Sequence, residues 1–132
     1  MDVRLILIVG LGGAIGSMLR YLATEIIPSN HMPYGTISVN LVGSMLLGIM
    51  FGAIAADVII NQNYVLLFGT GVLGAFTTMS AFAMDTVTLS EDELSKTVIY
   101  ITITIFGSIG FAWLGYKSVS YTHLTLPTNS RV

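Results

Sequence analysis

The chain has 132 residues, of which 54% are hydrophobic and only 9% are charged, and its mean hydropathy is +0.84. A soluble domain is about one quarter charged, so this composition excludes an ordinary water-soluble fold and indicates a small integral membrane protein. The absence of cysteine excludes disulfides and thiolate metal sites, and the net charge of −2 offers no footprint for nucleic acid.

Four uncharged stretches divide the chain. A membrane-spanning helix needs about 20 mostly apolar residues. The first stretch reaches that length only if Arg20 lies within the span and reaches the interface or a wet cavity. The sequence therefore predicts an all-α integral membrane protein with a single domain, residues 1–117. Its four transmembrane helices are predicted at about 3–27, 34–56, 64–89 and 95–117.

The basic residues give these four spans almost no preferred orientation. Arg4 and Lys117 fall on one side of the membrane and Arg20 and Lys96 on the other, so there is little positive-inside bias. Two interpretations stay open. Either a partner fixes a weakly oriented protein, or the chain inserts in both orientations and pairs as an antiparallel dimer.

The second span combines small residues with one amide. Asn40, Ser44, Gly48 and Gly52 recur every four residues and share one helix face, which is typical of closely packed membrane helices. An amide inside an apolar span needs a partner or water. Asn40 therefore either bonds across helices or offers its NH2 group to a passing anion.

The third span contains weak helix formers at its centre. Glycines at 69, 71 and 74 precede Thr77, Thr78 and Ser80, and this pattern predicts a break near mid-membrane around Gly74. The alternative is a continuous helix whose small residues serve packing. If the helix breaks, carbonyls of Gly74 and Thr77 from two antiparallel subunits would offer four oxygens to a hard cation such as Na⁺.

The fourth span carries three hydroxyls in register. Tyr100, Thr104 and Ser108 are spaced by four, so they share one face. Such hydroxyls often bond only the carbonyl four residues back. Together with Asn40 and the hydroxyls of the third span, however, they favour a polar path of uncharged donors that could replace the water around a small anion.

The tail, residues 118–132, is polar, contains Pro127 and lacks apolar periodicity. Such a segment cannot bury enough surface to fold by itself. We predict that it is disordered or is foreign sequence, and we assign it no function.

Four motifs resemble the Fluc/CrcB family of fluoride channels, in order and over about residues 5–116. They are GGAIGSMLRY (12–21), GTISVNLVGS (35–44), GVLGAFTTMSAF (71–82) and Gly107-Ser108. The resemblance implies a passive channel that exports cytoplasmic fluoride across the bacterial inner membrane. It also implies a dual-topology antiparallel homodimer with two pores and a central structural Na⁺.

The resemblance implies roles for individual residues. Gly74 and Thr77 would bind Na⁺ through their backbone carbonyls, and Arg20 would lie in the vestibule at the aqueous entrance. The predicted pore residues are Asn40, Thr78, Met79, Ser80, Phe82, Tyr100, Thr104 and Ser108.

One pore position departs from the family pattern. The family usually has TTFSTF where this chain has TTMSAF (77–82), so Met79 replaces the first of two phenylalanines and Phe82 keeps the second. Methionine has no aromatic ring edge to present to an anion, but its flexible thioether fills similar volume. We expect Met79 still to line the pore and conduction to survive.

Two other classes of protein fit less well. A small multidrug-type four-helix exporter is the alternative, but it would need a mid-span carboxylate in the first helix, where Asp2 and Glu25 lie near the ends. A membrane enzyme would need a nucleophile–base pair or metal ligands. The two histidines, His31 and His123, lie in a predicted loop and in the tail, so we expect no enzyme.

Overall fold

The computed structural model describes residues 1–59 and 61–125, and within them the protein is helical. Four segments are long and apolar enough to cross a membrane, as predicted: Val3–Ile26, Tyr34–Ala55, Gln62–Asp92 and Leu94–Ser120. The third segment consists of two helices. We number the helices α1 (Val3–Ile26), α2 (Tyr34–Ala55), α3 (62–76), α4 (Met79–Asp92) and α5 (Leu94–Thr125).

The helix ends follow local sequence signals. Asp2 caps α1 by accepting a hydrogen bond from the Arg4 backbone N–H at 2.9 Å. The helix stops before Pro28, because a proline disfavours helical geometry in the residue that precedes it. After α2, Asp57 adopts φ 58°, a left-handed conformation that aspartate tolerates in turns. The connection between α4 and α5 is the single extended residue Glu93.

The last helix is longer than predicted. It continues to Thr125, so Ser118–Thr125 is helical, although we expected the tail from 118 to be disordered or foreign. A helix can extend past its packed region because its backbone hydrogen bonds are internal. The rest of the tail, residues 126–132, lies outside the described residues.

Two helix pairs form the frame of the subunit: α1 packs on α3, and α2 packs on α5. Glycine makes both contacts possible. A Cβ on Gly16 would collide with the backbone carbonyl of Val72 in α3, and one on Gly48 would collide with that of Ala112 in α5. The predicted glycine stripes of the first and second spans therefore bring helix backbones together, as small residues do in membranes.

The third span breaks at Thr77 and Thr78, both of which have extended backbone geometry (ψ 156° and 116°). The prediction of a break is confirmed, but it lies three residues beyond Gly74. Gly74 remains helical at the end of a π-helical stretch, Val65–Leu73, and donates its N–H to the Gly69 carbonyl. Thr78 then starts α4 by accepting a hydrogen bond from the Ala81 N–H at 3.1 Å.

The distribution of polarity is the reverse of that in a soluble protein. Many large apolar side chains are exposed along α1 and α5, as expected for a surface in contact with lipid. Among the described residues, half of the buried side chains other than glycine are polar: Thr36, Asn40, Thr78, Thr97 and Thr104. Several of these buried polar groups lie close to the break in the third span.

Candidate functional site

A cleft of about 330 Å³ opens between α2, α4 and α5 at the level of the break. Its lining combines hydroxyl and amide groups with apolar side chains and includes no charged residue. The lining residues are Asn40, Ser44, Thr77, Thr78, Met79, Phe82, Thr104, Ile105, Ser108 and Ile109. Six of the eight predicted pore residues are among them, and Tyr100 and Ser80 are not.

Asn40 is bonded to the backbone of the break. Its Nδ2 donates to the Thr78 carbonyl at 3.1 Å, and its Oδ1 accepts from the Thr78 N–H at 2.8 Å. Both residues are buried. Of the two interpretations of Asn40, the structure shows the bond across helices. It also places the amide in the cleft wall, with one Nδ2 hydrogen beyond the one given to Thr78.

Thr104 is the unusual hydroxyl of α5. The exposed Thr102 and the buried Thr97 donate to carbonyls four residues back, at 2.7 and 2.9 Å. Thr104 Oγ1, by contrast, is buried and has no hydrogen-bond partner among the described residues. A buried polar group without a partner costs about 1–3 kcal/mol. Thr104 is nevertheless a lining residue of the cleft, so an unpartnered hydroxyl lies at its wall.

Tyr100 lies behind the cleft. It is fully buried, its ring packs against that of Phe82 with centroids 5.3 Å apart, and its hydroxyl donates to Asp85 Oδ2 at 3.0 Å. The predicted row of three hydroxyls is therefore divided, because Thr104 and Ser108 face the cleft and Tyr100 bonds to α4. Asp85 also lines a second cavity of about 300 Å³, formed with residues 29–33 and the end of α4.

The start of α4 supplies one wall of the cleft. Met79 lines it, and its side chain is 76% exposed in the single subunit. Phe82, one turn later, lies between the cleft and Tyr100. Ser80 is exposed and does not line the cleft. Its Oγ lies 3.2 Å from Oγ1 of Thr78, the residue that caps α4, so Ser80 contacts the helix cap.

Arg20 lies beside the end of α3. Its Nε donates to the Ala75 carbonyl at 3.0 Å, and the residue is half-buried. This contact connects α1 to a carbonyl just before the break, where the helical hydrogen-bond ladder stops. The structure thus gives Arg20 a defined protein contact, while its place in a vestibule stays a prediction.

The carbonyls of Gly74 and Thr77 have lost their usual helical donors. In a continuous α-helix they would accept from the N–H groups of Thr78 and Ala81. Here Thr78 donates to Asn40 Oδ1 and Ala81 donates to Thr78 Oγ1. Oxygen ligands of this kind suit hard cations, so the residues fit the predicted cation site.

Comparison with known proteins identifies the family. The family model described as "CrcB-like protein, Camphor Resistance (CrcB)" matches residues 7–116. The chain belongs to the CrcB family. It is 40% identical over 119 residues to a protein of Halalkalibacterium halodurans named "Fluoride-specific ion channel FluC 2", with 89% of this chain and 87% of that protein covered.

Two further relatives bear the name "Fluoride-specific ion channel FluC". The protein of Thermotoga petrophila is 38% identical over 113 residues, which cover 83% of this chain and 89% of that protein. The protein of Alteromonas mediterranea is 39% identical over 110 residues, which cover 80% and 87%. The resemblance read from the sequence motifs is therefore confirmed, and this CrcB-family chain is a multi-pass membrane protein.

Three contacts of the site were not predicted from the sequence. Ser44 lines the cleft, Arg20 bonds to Ala75, and Asp85 bonds to Tyr100. The four-residue spacing of Ser44 from Asn40 was a usable signal for the first of them. The other two depend on how the helices pack, and no local pattern records which residue of one helix meets which residue of another.

Proposed function

We propose that this CrcB-family protein is a passive fluoride-selective channel that lets fluoride leave the cytoplasm across the plasma membrane. The relatives described above bear the name of fluoride-specific ion channels. The observation that carries the proposal is the unpartnered Thr104 hydroxyl in an uncharged cleft. As a member of this family the chain is a channel and not an enzyme.

The chemistry of the cleft suits a small anion. Fluoride is strongly hydrated, so a pore must replace its water with closely spaced hydrogen-bond donors. Thr104, Ser108 and the remaining Asn40 N–H are donors of that kind, and none carries a charge that would trap the ion. Chloride is larger and would not fit the same donor spacing.

Transport by this cleft is passive and downhill. HF enters a cell as a neutral acid and dissociates, so an anion leak lowers the amount of fluoride inside. The lining contains no acid–base pair that could couple fluoride movement to protons. The multidrug-type exporter is disfavoured because Asp2 caps the start of α1 and Glu25 is exposed at its other end.

The working unit of our proposal is an antiparallel dual-topology homodimer with two pores. Two observations support it. The cleft is open on one side, and α4 has no buried residue within the single subunit. A second copy would cover this face. Carbonyls of Gly74 and Thr77 from both subunits would then hold a structural Na⁺, which would supply electrostatic attraction between the two chains.

Fluoride release from vesicles tests the function. Purified protein is reconstituted into liposomes loaded with fluoride or with chloride, and an ion-selective electrode follows release after addition of a potassium ionophore. We expect rapid fluoride release without a proton gradient, and retained chloride. Fluoride that stays trapped, or that leaves only with a proton gradient, would contradict the proposal.

Labelling tests the dual topology, and the cysteine-free chain makes it clean. A Gln62→Cys variant presents one thiol at the exposed first residue of α3, just after the connection from α2. A membrane-impermeant maleimide applied to intact cells is expected to label about half of the chains, and the remainder only after permeabilisation. Labelling of all chains or of none in intact cells would show a single orientation.

A further inference from the structure

Two side chains from two different helices bind the backbone on either side of the break in the third span. Arg20 of α1 reaches the carbonyl of Ala75, before the break, and Asn40 of α2 reaches both backbone groups of Thr78, after it. We infer that Arg20 and Asn40 are positioning residues that together hold the third span in its broken form. We refer to these two residues as the clamp.

A break in a membrane-spanning helix removes backbone hydrogen bonds. In a continuous helix the N–H of Thr78 would bond the Gly74 carbonyl, and the N–H of Met79 would bond the Ala75 carbonyl. In an apolar membrane interior water cannot replace such bonds, so open backbone groups favour closure of the helix. The clamp gives new partners to one donor and one acceptor of these two lost bonds. Asn40 accepts from the Thr78 N–H, and Arg20 donates to the Ala75 carbonyl.

The bonding of Asn40 is selective for the broken geometry. One amide binds the N–H and the C=O of the same residue, which requires that both groups point sideways from the chain. In a continuous helix the Thr78 N–H would point along the axis to Gly74 and would not reach Asn40 Oδ1. The Asn40 amide therefore stabilises the broken form over the continuous one.

The clamp also fixes the orientation of the Asn40 amide. Its oxygen faces a backbone donor and its nitrogen faces a backbone acceptor, so the amide cannot rotate by 180° without losing both bonds. This orientation leaves Asn40 one Nδ2 hydrogen that is not given to Thr78. The same bond keeps the Thr78 N–H away from Gly74, whose carbonyl belongs to the proposed cation site.

Hydrogen exchange at the break tests the clamp directly. In wild-type protein in nanodiscs, the Thr78 amide is expected to exchange slowly, because it is buried and bonded to Asn40. Asn40→Ala should raise its exchange rate by about tenfold or more, which corresponds to the loss of one buried hydrogen bond. Thr104→Val is the matched control, because Thr104 lines the same cleft but its hydroxyl makes no hydrogen bond to the break. It should leave exchange at Thr78 unchanged.

The conservative variant Asn40→Asp keeps the test informative if the alanine variant folds poorly. An ionised carboxylate still accepts from the Thr78 N–H but repels the Thr78 carbonyl, whereas a protonated carboxyl group can donate to that carbonyl. In Asn40→Asp, the protection of the Thr78 amide from exchange should therefore recover as the pH is lowered. The exchange rate of Thr78 in Thr104→Val at the same pH serves as the reference. Arg20→Lys can restore a donor at Ala75 and should protect the break better than Arg20→Ala.

The inference rests on the proposed function only for its second readout, fluoride flux. Flux should fall in the Asn40 and Arg20 alanine variants in step with the loss of protection at the break. If wild-type protein releases no fluoride, the proposed function fails. The exchange data still show whether Arg20 and Asn40 hold the third span in its broken form. Unchanged Thr78 exchange in Asn40→Ala, or unchanged exchange of the segment 74–79 in Arg20→Ala, would overturn the inference whether or not the channel conducts.

Discussion

The two halves of the third span differ in how they are held. The first half, α3, is packed through Gly69, Gly71 and Leu73, which are buried, and lies closely on α1. The second half, α4, has no buried residue, and its first residue, Met79, is largely exposed. A single hydrophobic stretch thus contains two different halves. The first, α3, is closely packed, and we call it the anchor; the second, α4, forms a wall of the cleft and has no buried residue. The break lets the two halves serve different purposes.

The largest expected effect comes from disturbing the anchor. Gly16→Ala would place a Cβ against the Val72 carbonyl, and two helix backbones would have to separate. We expect the free energy of unfolding to fall by about 2–3 kcal/mol, as in overpacked cores. Thermal unfolding in detergent measures this loss.

Gly13→Ala is the matched control for that variant. It lies on the same helix, and a Cβ there would meet nothing within 4 Å. It should keep or slightly raise stability, because alanine favours a helix by roughly 0.8–1 kcal/mol over glycine. Equal effects of the two variants would show that α1 does not pack on α3 through Gly16.

Substitutions in the cleft lining should lower fluoride flux more than they lower the free energy of unfolding. Thr104→Val removes a buried hydroxyl without a partner among the described residues, so the unfolding free energy should stay equal or rise by about 1 kcal/mol. Fluoride flux should nevertheless fall by about tenfold, the equivalent of one lost hydrogen bond to the ion. Thr102→Val, on the exposed face of α5, should leave flux unchanged. Equal flux in both variants would remove Thr104 from the pore.

The two side chains at the start of α4 separate packing from conduction. Phe82→Ala removes the ring that packs on Tyr100 and should lower the unfolding free energy by about 2 kcal/mol as well as the flux. Met79→Ala should change stability by at most about 0.5 kcal/mol, because the side chain is mostly exposed. Its flux should still fall. No change of flux in either variant would exclude both from the pore.

The sequence predicted the parts of this molecule that depend on composition and spacing. The four spans follow from the lengths of the uncharged stretches, and the break from glycines that precede Thr77 and Thr78. The division between Tyr100 and Thr104 could not be predicted. Their spacing places them on one face, but the approach of Asp85 from α4 decides which hydroxyl is already bonded. The π-helical winding of 65–73 likewise has no clear sequence signal.

The smallest expected effect lies at the turn that joins α4 to α5, outside the spans. Ser95 Oγ donates to Glu93 Oε1 at 2.9 Å, and Lys96 Nζ lies 3.2 Å from Oε2. The Ser95 hydrogen bond, with the help of Lys96, holds the pKa of the Glu93 carboxyl below its ordinary value of 4.5. The ionised form is thus favoured in the folded protein.

A group with a lowered pKa stabilises the fold above its ordinary pKa, and this contribution is lost as the pH falls through the lower, folded value. Unfolding measured from pH 7 downward should therefore show a small loss of stability below about pH 4.5 that Glu93→Gln removes. Glu91→Gln, an exposed neighbour in the same acidic segment, should retain that loss. Because Glu93 is exposed, high salt should weaken the Lys96 part of the effect and leave the Ser95 part. A pH dependence unaltered in Glu93→Gln would show that the ionised Glu93 carboxylate does not stabilise the turn between α4 and α5.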